Sequence, residues 1–188
     1  MGRLIFQRLG GVFSIIRKVT AFVPARLFIL AWPLVKSAPG LGGEAIRYIW
    51  AIRLFKAAGT NIRIGPGCTI HHWDRIECGS NVSIHERTYI DANGGLRIGN
   101  DVSIAHASSL LAFDHSWEDR DTPIKYNPLI PDEIVIHDDV WLGCGVRILS
   151  GVHLSSRTIV AAGAVMTTGK YEPGIYGGIP GRLIGETL

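Results

Sequence analysis

Cysteine is scarce in this chain of 188 residues. Cys68, Cys78 and Cys144 stand at no metal-like spacing and form no disulfide framework, which points to a reducing compartment. Long apolar runs are also missing. The stretch 19–35 is apolar but too short for the roughly 20 residues of a membrane span, and Pro24, Arg26 and Pro33 interrupt it. Arg17 and Lys18 break the apolar region that a cleavable signal would need. Acidic residues are absent from positions 1–43, which carry six basic ones (Arg3, Arg8, Arg17, Lys18, Arg26 and Lys36). The rest of the chain therefore holds thirteen of the 19 basic residues against all 16 acidic ones. Basic and aromatic residues are not interleaved in the manner of a nucleic-acid-binding surface, so no nucleic-acid partner is expected.

What the chain does have is a repeat. Residues 136–165 divide into five six-residue units, IHDDVW, LGCGVR, ILSGVH, LSSRTI and VAAGAV, each opening on an aliphatic residue: Ile136, Leu142, Ile148, Leu154 and Val160. A lone helix repeats its apolar positions every three or four residues and a lone strand every two, so recurrence at six fits neither. It fits stacked coils of a parallel β-helix, each flat face a short strand and each leading aliphatic residue pointing inward onto its equivalents. The 23 glycines suit the many tight corners of such a fold.

Outside residues 136–165 the pattern divides the chain. Residues 1–58 lack the hexads and read as a basic helical segment, with a helix expected over 43–58 that turns Ile46, Ile49, Trp50, Ile52 and Phe55 to its apolar side. Two roles are open for this segment: a cap on the first coil, or a peripheral membrane contact in which basic and apolar residues meet anionic headgroups. Coils begin near Asn61 and run through Ile64, Ile70, Cys78, Ile84, Ile90, Ile98, Ile104 and Leu110, giving a β-helix over 59–168 and a tail over 169–188. The step from Ile90 to Ile98 is eight residues, so a two-residue bulge is expected at a corner, with Asp91 and Asn93 beside it. Phase is lost after Leu110 and regained at Ile136. The intervening residues include three prolines and six carboxylates, which cannot pack inside a coil, so an inserted loop is expected at 111–135.

The motifs VWLG (140–143), SGV (150–152), AAGAVMTT (161–168) and GGIPGRLI (177–184) resemble those of the hexapeptide-repeat acyltransferases, in the branch of maltose, galactoside and exopolysaccharide O-acetyltransferases. The resemblance covers residues 61–184. It implies a left-handed parallel β-helix, a homotrimer with active sites between subunits, acetyl-CoA as acyl donor and a saccharide as acceptor, with no metal required. The few cysteines and the basic N-terminal segment point to a cytoplasmic protein, peripheral at the inner face of the cell membrane if that segment binds there.

Residue by residue, the resemblance implies His115 as the general base, at the head of the inserted loop in the stretch FDHSW. An imidazole titrating near neutrality suits the removal of a proton from an attacking alcohol. The backbone N–H of Cys144 is the implied oxyanion donor. Trp141, Gly143, Cys144, Ala162, Thr167, Thr168 and Arg182 are implied for coenzyme A, Arg182 through its fork of donors to phosphate. Many such proteins carry Thr-Lys where this chain has Thr167-Thr168, so a phosphate contact is either lost here or moved to Lys170. For the acceptor, Asp91 or Asn93, Asp114 and Trp117 are the candidates. Cys144 as a nucleophile would lack a base. Two further readings stay open: a non-catalytic β-helix scaffold, and a metalloenzyme like the γ-class carbonic anhydrases, with His85, His106 and His115 as ligands.

Overall fold

The structure, a computed structural model, describes Gly11 and residues 15–187; the rest of the expected basic helix before residue 15 lies outside the described residues. Residues 15–20 are helical, followed by helices α1 (Ala25–Val35) and α2 (Gly40–Leu54). The remainder is mainly a parallel β-solenoid whose short strands stack into three sheets. Sheet A contains Ala57–Ala58, Ile76–Cys78, Leu96–Ile98, Ile134–Ile136, Val152–Leu154 and Gly169–Tyr171. Sheet B contains Arg63–Ile64, Ser83–Ile84, Ser103–Ile104, Trp141–Leu142, Thr158–Val160 and Gly174–Gly177, closed by Arg182–Gly185 running antiparallel. Sheet C contains Thr69–His71, Tyr89–Asp91, Ser109–Leu111, Arg147–Ile148 and Val165–Met166.

The chain visits B, C and A in turn, and the six-residue period becomes a vertical register. Ile64, Ile84, Ile104, Leu142, Val160 and Tyr176 align in sheet B, and Ile70, Ile90, Leu110, Ile148 and Met166 in sheet C. Cys78, Ile98, Ile136, Leu154 and Tyr171 align in sheet A. All but Tyr171 of these inward positions are buried. Burial pushes the Cys78 thiol up to about 12 and the Cys68 thiol up to about 11, so both behave as apolar core groups at neutral pH.

All the inserted residues leave at one edge, where sheet C turns into sheet A. In the first coil the excess is the 3₁₀ turn Trp73–Arg75, in the second the turn at 93–95, and in the third the whole loop between Leu111 and Ile134. The expected bulge is thus one instance of a feature repeated along the edge.

The helices close the first coil. Trp32 donates from Nε1 to the Cys68 carbonyl at 3.2 Å and meets Trp73 edge-on at 4.9 Å, and the Lys36 carbonyl accepts from Gly67 N–H. The buried face of α2 differs from the expected one. Tyr48, Ala51, Ile52, Leu54 and Phe55 are buried with Arg47 among them, while Ile46, Ile49 and Trp50 are only half-buried. Helix α2 also ends at Leu54, and Ala57–Ala58 already pairs with Glu77 and Cys78 in sheet A. Arg47 displaces the expected face because the open end of the first coil presents carbonyls. Its Nε donates to Ile64 O at 2.6 Å and its Nη1 to Ala38 O at 2.7 Å. Burial pushes its guanidinium pKa down, and Glu44 pulls it back up. Among the described residues no helix is long and apolar enough to cross a membrane.

Arg47 is only 2% exposed, so truncating it leaves two carbonyls without a donor and a void between helix and coil. Arg47→Ala is expected to lower the unfolding free energy by about 3 kcal/mol. Urea denaturation followed by tryptophan fluorescence measures this; a loss below about 1 kcal/mol would show that the helices do not depend on the contact.

Candidate active site

His115 sits on an ordered arm. Phe113–His115 pairs antiparallel with Leu129–Pro131, with Phe113 opposite Pro131 and His115 opposite Leu129. The 3₁₀ turn Ile124–Tyr126 shapes the tip. Asn127, which is buried, holds the tip together: its Nδ2 donates to the carbonyls of Thr122 at 2.9 Å and Asp119 at 3.2 Å, and its Oδ1 accepts from Asp119 N–H at 3.2 Å. Ser116 N–H donates to Pro128 O at 2.9 Å. The carboxyl of Asp119, fully exposed, sits below the usual carboxylate range, chiefly because Thr122 donates to it.

The root of the arm is fixed by close backbone approach. A Cβ on Gly94 would lie 2.3 Å from Ala112 O and 2.4 Å from Asp132 N, so the bulge expected between Ile90 and Ile98 is the seat over which the arm crosses. A Cβ on Gly151, at φ +70°, would lie 2.4 Å from Asp132 Oδ2 on the other side. No signal in residues 92–95 alone discloses this, because the partner strand lies in the next coil.

His115 itself is half-buried, its ring 6.2 Å from that of Phe113. Its Nδ1 is buried and has no hydrogen-bond partner among the described residues. Buried polar atoms are nearly always satisfied, so a bare imidazole nitrogen marks a place where a further group is expected. Asp114, exposed, accepts the backbone N–H of His115 at 2.8 Å and so fixes the local chain rather than the ring. Trp117 is 66% exposed on the arm, and Ile124, Tyr126, Leu129 and Ile130 are exposed there to varying degree.

The other site residues fall on two edges. Gly143 and Cys144 follow Trp141–Leu142 where sheet B turns into sheet C, directly over Ala162: a Cβ on Gly143 would lie 2.6 Å from Ala162 N. Arg182 joins them from the tail, where Val165 O accepts Gly181 N–H and Gly178 O accepts Val165 N–H. Among the described residues nothing accepts the Cys144 N–H, while the Cys144 carbonyl takes Gly163 N–H at 2.9 Å. Trp141 is exposed on sheet B beside this edge, opposite Ile159.

Thr167, Thr168, Asp91, Asn93, Asp114, His115 and Trp117 belong instead to the edge where sheet C turns into sheet A. Thr168 Oγ1 donates to Ser150 O at 2.7 Å, and Thr167 O accepts from the Tyr171 hydroxyl at 2.7 Å. Asp91 Oδ1 is held by His72 Nδ1 at 2.8 Å and by Asn93 N–H at 3.2 Å; Asn93 Oδ1 takes Arg75 Nη1 at 2.9 Å. His72 and Arg75, neither expected at the site, therefore set both acceptor candidates, and the residues 71–75 that supply them form the lowest of the stacked insertions. A surplus of residues between Ile70 and Cys78, equal to that between Ile90 and Ile98, was the available signal. His85 and His106 stand at the edge from sheet B to sheet C and His115 on the arm, and among the described residues no three His, Cys, Asp or Glu cluster as a metal site.

No known protein-family profile matches the chain. Over 127 residues it is 26% identical to a probable acetyltransferase of Mycobacterium tuberculosis, covering 67% of this chain and 42% of that one. Over 122 residues it is 26% identical to the galactoside O-acetyltransferase of Lactococcus lactis, covering 61% and 55%. The chain thus spans about half the length of the curated relatives it matches. Among solved structures, a hexapeptide-repeat acetyltransferase of Vibrio cholerae superposes with a TM-score of 0.75 at 25% identity, over 93% of this chain and 92% of that one. The same protein complexed with acetyl coenzyme A gives 0.75 at 26% identity, over 86% and 84%. A galactoside acetyltransferase in complex with coenzyme A, 21% identical over 86% and 78%, has the same fold with a TM-score of 0.74. Homologues and structural neighbours alike are hexapeptide-repeat acetyltransferases.

Because one amide ties the arm tip, Asn127→Ala is expected to free residues 117–128 while leaving the coils intact. Limited proteolysis should cut there at least about tenfold faster than in the wild type, with the main thermal transition unchanged within a few degrees. Equal cleavage rates would mean that other contacts hold the tip.

Proposed function

We propose that this chain, whose homologues and structural neighbours are hexapeptide-repeat acetyltransferases, is an acetyl-CoA-dependent O-acetyltransferase acting on a saccharide hydroxyl, such as that of an exopolysaccharide, lipopolysaccharide or other glycan precursor. The observation that carries this reading is His115, seated on a braced arm with a buried Nδ1 that has no partner among the described residues. The reaction needs one proton moved and one developing charge met. His115 takes the proton of the acceptor hydroxyl as its oxygen attacks the thioester carbonyl carbon. The carbon–sulfur bond then breaks, the acetyl ester forms, and the coenzyme A thiolate receives the proton. The unengaged N–H of Cys144 meets the oxyanion. No covalent acyl-enzyme is required, since the thioester is already activated and both substrates are held together.

The division of the site over two edges supports an oligomer. His115 and Cys144 flank sheet C at its two ends in one chain, so a base and an oxyanion donor meet in one site when the arm of one subunit reaches the sheet B to sheet C edge of the next. The apolar side chains left exposed on the arm, Trp117, Ile124, Tyr126, Leu129 and Ile130, suit such a contact. A homotrimer closes this head-to-tail relation. Coenzyme A then lies along Trp141, Gly143, Cys144 and Ala162 towards Arg182, with Thr167 and Thr168 across sheet C. Asp91 and Asn93, stiffened by His72 and Arg75, await the acceptor with Asp114 and Trp117. Acetyl-CoA supply and three unpaired thiols fit work in the cytoplasm.

Release of free thiol from acetyl-CoA, measured against a panel of sugars and glycan precursors, tests the chemistry. Wild type should respond to an acceptor, and His115→Ala should lower turnover by a factor of about 100 to 10,000 while still binding coenzyme A. Equal turnover in the two proteins removes His115 from the mechanism, and absence of coenzyme A binding removes the acyl-transfer reading altogether.

Cysteine labelling tests the donor groove independently. Cys144 is half-exposed while Cys68 and Cys78 are buried with raised pKa values, so iodoacetamide should modify Cys144 first, and coenzyme A should slow it by about tenfold or more at saturation. Modification unaffected by coenzyme A would move the groove elsewhere.

A further inference from the structure

The helical cap has two apolar faces and uses only one. In α1, Phe28 and Trp32 are buried against the first coil, while Leu27, Leu30 and Leu34, spaced along the opposite side, are exposed, Leu30 at 73% and Leu34 at 84%. Val19 and Phe22, the latter 90% exposed, continue the apolar surface into the preceding helix and its turn, and Leu41 extends it beyond α1. These positions are not loosely attached. Arg53 binds Thr20 O at 2.9 Å and Val23 O at 2.7 Å, and Trp50 Nε1 binds Phe28 O at 2.8 Å, so α2 pins the turn and α1 against the solenoid.

Charge follows the same segment. Arg17, Lys18 and Arg26 are exposed beside the apolar row, and positions 1–43 contain no acidic residue. A surface of balanced charge matches so one-sided a charge poorly. An anionic lipid surface matches it well, since it attracts each cation and accepts the apolar side chains below its headgroups. Crossing is excluded for α1 by length: eleven residues span about 16 Å against a hydrocarbon core of about 30 Å, and Pro33 lies within the helix.

We infer that the row Val19, Phe22, Leu27, Leu30, Leu34 and Leu41, with Arg17, Lys18 and Arg26 around it, is a peripheral docking face for anionic phospholipid membrane. The solenoid then stands on the bilayer by its first-coil end, and the arm stays in the aqueous phase, two coils above. This inference does not rest on the acyltransfer reading; it does give an acetyltransferase access to acceptors carried on lipid.

The test is co-sedimentation of the full chain with vesicles of phosphatidylcholine alone and with added phosphatidylglycerol, at low and high salt. The wild type should partition onto the anionic vesicles at least about tenfold more strongly than onto neutral ones, and the difference should shrink with salt. The double variant Leu30→Glu with Leu34→Glu should lose about tenfold or more of that binding with its thermal transition unchanged; Lys18→Gln with Arg26→Gln should lose the salt-sensitive part. Three results overturn the proposal: no binding to either vesicle, binding that survives the leucine substitutions, or self-association of the wild type in solution that those substitutions abolish. The last would assign the face to a second copy of the chain.

Discussion

Everything in this molecule depends on one constraint: each inward aliphatic residue must lie over its equivalent in the coil below. The parallel ladder fixes this one residue at a time, so slipping by one would turn Ile104, Leu142 and their neighbours out to solvent. Strands of two or three residues cannot hold such a register alone, and it is the stack that makes them strands. The constraint also governs what is inserted. A chain that leaves the coil must return in phase, as the long arm does when Ile134 pairs with Leu96 and donates to Gly95 O at 3.1 Å. The edge from sheet C to sheet A meets that requirement in three successive coils, with two equal short surpluses followed by the long arm.

The same stacking sets how polar groups are treated. Thr88, Ser108 and Thr158 are buried at corners, and each donates its hydroxyl to a carbonyl three residues earlier, at 2.7–2.8 Å. The buried arginine of the cap is satisfied by the Ile64 carbonyl of the first coil and the Ala38 carbonyl between the two helices. Against this background the bare Nδ1 of His115 stands out, because the fold elsewhere supplies partners to what it buries. Corner groups are free of the rule that binds the core: the N–H of Cys144 lies outside the ladder and has no acceptor among the described residues.

The period of six was legible at once, because Ile136, Leu142, Ile148, Leu154 and Val160 carry it without a gap. From the period came the solenoid, its buried positions and the place of the inserted loop. The cap was less legible. An apolar-periodicity rule assigns Ile46, Ile49 and Trp50 to the core and leaves Arg47 outside, since it counts side-chain hydrophobicity and ignores the carbonyls that the first coil leaves unpaired. The fold of the arm was not legible either: its hairpin pairs Phe113 with Pro131 across a tip closed by Asn127, and proline is a poor advertisement for a strand. His72 and Arg75 went unseen as supports of Asp91 and Asn93 because their links run between coils, 19 and 18 residues apart rather than adjacent in sequence.

The remaining step concerns why such a site is split. A solenoid surface is a set of flat faces, and a flat face cannot surround a substrate or exclude water from it. The inward positions are committed to the stack, so functional groups are confined to corners and insertions. The proposed base and oxyanion donor, His115 and Cys144, thus stand at opposite ends of sheet C. Adding a second solenoid alongside turns two flat surfaces into a groove, and an arm long enough to leave its own edge brings the base across. The arm must be rigid to be of use there. Under the proposed reading, that gives the Asn127 clasp and the glycine seat at Gly94 a purpose beyond local stability: they fix where His115 is presented to a second copy of the chain.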